Sequence, residues 1–161
     1  MRGLLLTGLG AVIAITGAAG TLAPAPAASP APDGKALYAR CAACHTATGK
    51  GVPGAFPPLA ADYRALAAKP AGRRYLALAV IKGVAGPITV EGKAYRSVMP
   101  AQSGLDDGAV AAVLNHVGTV IAKSGPVFKP FTAPEVAGYR ASGAKLTGAD
   151  VGKLHGAAGG K

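Results

Sequence analysis

The chain has 161 residues, enough for one ordinary domain with extensions. Only 5% of them are aromatic and tryptophan is absent, so the polypeptide alone builds a thin core; a large apolar cofactor at its centre would fill it, as metals or disulfides do in other small scaffolds. The formal net charge of +10 favours acidic partners, but the basic residues are scattered singly apart from Arg73-Arg74, and no basic stripe or aromatic-basic interleaving marks a nucleic-acid reader.

Residues 1–28 read as an export signal. Arg2 supplies the positive start, residues 4–19 are apolar apart from Thr and Gly, and Ala25-Pro26-Ala27-Ala28 offers small residues for cleavage. An uncleaved membrane anchor competes with this reading, because the run from residue 3 to residue 20 is about the shortest that spans a bilayer. Either way, the remainder is expected outside the cytoplasm, in a bacterium the periplasm. Residues 29–32 form a short Pro-rich linker, residues 33–124 the main domain, and residues 125–161 a basic C-terminal extension.

Asp33 is placed to cap a helix running through Leu37 and Arg40 into the cysteines. Residues 49–59 cannot be helical, because glycines and prolines interrupt them. A helix is predicted over residues 73–82, ending at Gly83. The β-branched residues around Glu91-Gly92, over 88–95, predict a small hairpin or extended loop. Asp106 opens the best helix, whose apolar residues Val110, Val113, Leu114, Val117 and Ile121 form one stripe at helical period. In the extension, Thr132 and Thr147 each fit the start of a short helix. Those helices either dock on a partner or trail as a solvated appendage.

The chemistry concentrates in Cys41-Ala42-Ala43-Cys44-His45, the attachment signature for c-type haem. On a helical turn, positions i and i+3 share a face. Both thiols can therefore add to the two vinyl groups along one side of a porphyrin, while His45 projects toward the iron as an imidazole ligand. A thioredoxin-like dithiol would follow a strand in a βαβ setting, and none is present. A zinc site would need a fourth ligand from His116 or His155, and a disulfide closing a two-residue loop fastens almost nothing.

The sixth iron position decides what such a haem does. A thioether there gives a closed iron suited to electron transfer, whereas an open position suits ligand binding or peroxide chemistry. The chain has two methionines, and Met1 belongs to the leader, which leaves Met99, followed by Pro100, in a loop before the best helix. His116 and His155 are the alternative axial ligands. His116 lies at the edge of the apolar stripe, and His155 sits in the Gly-rich tail, where it is expected to be solvated.

Over residues 33–120 the sequence resembles class I cytochrome c. The resemblance rests on Gly34 and Tyr38, on Cys41 to His45, on Pro57-Pro58-Leu59, and on Met99-Pro100 before a terminal helix. It implies an all-α cytochrome c fold, with the first and last core helices packed across one another beside one covalently bound haem c. By resemblance, Gly34 permits the close approach, Tyr38 covers it, the Pro57 carbonyl accepts a hydrogen bond from the ligand histidine, and Leu59 faces the haem. One departure is His116, where the family often has an aromatic residue.

Residues 86–95 and 105–117 are similar to small bacterial cytochromes that serve as subunits or partners of periplasmic dehydrogenases. The implied function is single-electron transfer rather than catalysis, from a dehydrogenase or respiratory complex to an oxidase or another cytochrome. These partners are expected to be acidic; nucleic acid is not expected, and a membrane only through an uncleaved leader. A haem enzyme or gas-binding haem protein with an exchangeable sixth ligand is the alternative.

Overall fold

The computed structural model describes residues 31–161; the leader and the first half of the linker lie outside the described residues. Helix α1, Gly34–His45, starts where the Asp33 side chain accepts a hydrogen bond from the Lys35 amide, and it carries both cysteines to its C-terminal end. Helix α4, Asp107–His116, is capped by Asp106 through the Ala109 amide and runs on into a single π-helical turn, Val117–Ile121. The two helices cross at Gly34, where any Cβ would run into the Ala112 carbonyl oxygen, so glycine is required. Tyr38 closes the crossing: its hydroxyl donates to the Thr46 carbonyl at 2.8 Å and its ring centroid lies 5.3 Å from that of His116.

Between them come α2, Tyr63–Ala67, and α3, Pro70–Lys82. Proline at the first position of α3 sacrifices no hydrogen bond. Gly83 ends the helix in the left-handed region at φ +75°. The hairpin follows as β1, Ile88–Val90, paired antiparallel with β2, Lys93–Tyr95, Val90 facing Lys93. Its two-residue turn has positive φ at both Glu91 (52°) and Gly92 (72°), the twist that matches paired strands.

The C-terminal extension contains α5, Ala133–Ser142, and α6, Gly148–Ala157. Thr132 caps α5 through the Glu135 amide, and Thr147 forms a complete capping box with Asp150. Neither helix trails in solvent. Helix α5 lies on α3 and α4, α6 lies on α3 and β1, and Phe131, Val136 and Val151 join the same apolar core as Leu66, Leu78 and Val110. His155 departs from expectation accordingly: it is only 3% exposed, with Nε2 3.1 Å from Asp62 Oδ2 and its ring edge-on to Tyr75. Among the described residues, no helix is long and apolar enough to cross a membrane.

Candidate functional site

Helices α1, α2, α3 and α4, the hairpin and the loop after it enclose one large cleft, with about 1170 Å³ of empty space counting its open mouth. Cys41 and Cys44, free thiols and half-buried, occupy one wall, with His45 beside them. Leu59, Tyr63, Tyr75, Leu76, Val113 and Leu114 supply apolar surface, and Met99 comes in from the loop after β2. Among the described residues, Arg40 is the one lining residue with a fixed charge. Burial pushes the Tyr38 hydroxyl up to about 12 and those of Tyr63 and Tyr75 higher still, so all three stay neutral.

His45 is 7% exposed, and its Nδ1 lies 2.9 Å from the Pro57 carbonyl oxygen. A carbonyl only accepts, so Nδ1 carries the proton and Nε2 is left with its lone pair for a metal. Burial lowers the pKa of the ring, an effect that outweighs the opposing hydrogen bond, and this keeps the imidazole in the neutral form a ligand must have. Pro57 is held by its neighbours: the Leu59 amide donates to Gly49 and the Gly51 amide to the His45 carbonyl, folding residues 45–59 into a tight loop under the imidazole. Gly51 tolerates no side chain there, since a Cβ would press on the Pro57 carbonyl at 2.6 Å.

Met99 is half-buried, and its backbone pairs with Val84 through two hydrogen bonds of 2.9 and 3.0 Å. Neither of the other histidines lines this cleft. His116 packs on Tyr38 at the helix crossing, and His155 lies against Asp62 behind the Tyr75 wall. Among the described residues no three His, Cys, Asp or Glu side chains cluster as a metal site, and neither His116 nor His155 reaches the cleft to supply the fourth ligand a zinc site would need. A dry-walled cleft with two thiols on one side and an imidazole and a thioether among its lining residues fits a porphyrin.

Sequence reasoning missed the aromatic walls. Tyr63 donates its hydroxyl to the Leu114 carbonyl at 2.7 Å, fixing α2 against α4, and Tyr75 stands between the cleft and His155. Isolated tyrosines at no regular spacing carry no signal of a shared wall.

The cytochrome c family model matches residues 31–120. Over 117 residues the chain is 49% identical to a cytochrome c-552 of Thermus thermophilus, covering 71% of this chain and 88% of that protein. A second cytochrome c-552 of the same species is also 49% identical over 117 residues, which make up 78% of its length. The motif, the helix crossing and the lined cleft agree with these matches, and the chain belongs to the cytochrome c family as a class I monohaem member carrying covalently bound haem c.

Proposed function

We propose that this electron carrier holds its iron between His45 Nε2 and the Met99 sulfur, and serves as an extracytoplasmic shuttle between a dehydrogenase or respiratory complex and an oxidase or another cytochrome. The observation that carries the ligand pair is the placing of Met99, rather than His116 or His155, in the wall of the cleft that also contains His45. When bound, the haem supplies a one-electron Fe(III)/Fe(II) couple whose potential a thioether ligand raises. The chain's part is to hold Nε2 deprotonated through the Pro57 contact, to keep water from the iron with apolar walls, and to spare both redox states any change of ligand.

Met99→Ala tests the pair. The methionine-to-iron charge-transfer band is expected to vanish from the ferric spectrum, the potential to fall, and the ferrous protein to bind carbon monoxide rapidly where the parent resists it. An unchanged band would remove Met99 as the ligand. Rapid carbon monoxide binding by the untreated parent would favour the gas-binding alternative.

Export is supported by the positive start and apolar run of residues 1–28. Acidic partners are supported by the +10 charge and by exposed Arg40, which lines the cleft together with exposed Val98. Raising ionic strength from low to physiological should slow electron transfer to an acidic partner by about tenfold or more. Stopped-flow rates indifferent to salt would count against basic docking.

A further inference from the structure

Residues 82–85 link two parts of the molecule. On one side, Val84 and Met99 exchange two backbone hydrogen bonds, while Gly83, at φ +75°, presses so close to the Met99 carbonyl oxygen that a Cβ would collide with it. On the other side, the C-terminal extension grips the same stretch. The Ala85 amide donates to the Gly148 carbonyl at 2.9 Å, Lys82 Nζ donates to the Ala144 carbonyl at 2.9 Å, and Gly152 lies directly on the Ala85 peptide. A Cβ on Gly152 would fall 2.5 Å from the Ala85 oxygen and 3.7 Å from a Val84 methyl. Pro100 restricts the Met99 backbone to extended conformations, so the remaining freedom of that residue is set largely through Val84.

From this chain of contacts we infer that α6 is a positioning element for Met99: Gly152 seats the helix on Ala85, and Ala85 and Val84 transmit that seat to the backbone that delivers the sulfur. The inference rests on the ligand pair proposed above. The family-model match ends at residue 120, and α6 begins at Gly148, so the clamp is built by the extension rather than by the matched domain. The glycine is legible in these terms. Alanine is the better helix former, so helix propensity alone would favour it at position 152; the close approach to Ala85 is the physical reason for glycine there.

A graded glycine series in the full-length holoprotein tests the clamp. Gly156→Ala adds a methyl with nothing within 4 Å, Gly148→Ala adds one at ordinary contact distance, 3.5 Å from the Ala85 nitrogen, and Gly152→Ala adds one that must displace the Ala85 carbonyl. The methionine-to-iron band should be parental in the first, close to parental in the second and weakened in the third. Affinity of the ferric protein for added imidazole should rise in the third by about tenfold, the scale on which contacts behind a ligand act. Should Gly152→Ala not accumulate, Gly148→Val brings branched methyls against the same peptide and is expected to act in the same direction.

Arg73→Ala separates positioning from stability, because its partner Glu135 lies on α5 and not on α6; it should lower the melting temperature and leave band and imidazole affinity as in the parent. The clamp is overturned if Gly152→Ala melts lower with both readouts unchanged, or if Arg73→Ala changes them equally. A band lost in Met99→Ala but intact in Gly152→Ala removes the clamp alone, whereas a band that survives Met99→Ala removes the ligand reading and the clamp with it.

Discussion

Replacing both Cys41 and Cys44 by alanine should leave a colourless chain that does not fold cooperatively. Helices α1 and α4 meet directly at Gly34 and both line the cleft, whose half-buried apolar lining includes Phe56, Leu59, Val80, Ile88 and Met99. With no porphyrin, each such side chain that meets water forfeits about 1.5–3 kcal/mol. A handful of these losses equals the whole net stability of a domain, about 5–15 kcal/mol. With tryptophan absent and few aromatics, the chain has little with which to refill the space. The expected result, in a host that attaches haem to the parent, is a product with the mass of the bare polypeptide, weak far-UV ellipticity and no sharp thermal transition. A double variant that melts cooperatively at the parental temperature would show that the cofactor is not the centre of the core.

That dependence explains why the site was largely legible in the sequence while the extension was not. Cys41, Cys44 and His45 are local in the chain, so their spacing alone states their chemistry. Met99 followed by Pro100, and the Asp33 and Asp106 caps, are also short-range signals. The hairpin announced itself through Glu91-Gly92, because only a few residues adopt two successive positive φ angles.

By contrast, α2 is five residues long, too short to show a period, and stands because Tyr63 and Arg64 reach the Leu114 and Gly118 carbonyls more than fifty residues away. The burial of His155 depends on Asp62, 93 positions earlier, which no window of sequence can join to it. Thr132 and Thr147 showed where α5 and α6 begin; nothing local showed that Val136 and Val151 would enter the main core.

Helix α5 is held above all by one ion pair, its arginine buried and its carboxylate partly exposed, and removing it should be costly. The guanidinium of Arg73, 8% exposed, grips the Glu135 carboxylate with both arms, Nε at 2.6 Å from Oε1 and Nη2 at 2.7 Å from Oε2. It also donates to the Ala67, Lys129 and Pro130 carbonyls and lies 3.8 Å from the centre of the Phe131 ring. Tyr139 adds a third donor to Glu135 at 3.0 Å. Arg73→Ala leaves that carboxylate with Tyr139 alone and those carbonyls without the arginine, and about 3–5 kcal/mol of stability should go with it. For a chain of this size that is a drop in melting temperature on the order of 10 °C.

Acid should produce a related loss. The Arg73 hydrogen bond, foremost, holds the Glu135 carboxyl below its ordinary value of 4.5, against the opposing effect of burial. A carboxyl whose folded pKa is depressed contributes fully above its unfolded value and loses that contribution as pH falls through the folded one. The stability gap between parent and Glu135→Gln should therefore be whole at neutral pH and shrink once pH drops below about 4.5. Chemical denaturation of both proteins across that range measures it. A gap that stays constant into strong acid would mean that charge at Glu135 has no part in anchoring α5, and that the arginine acts through its carbonyl contacts alone.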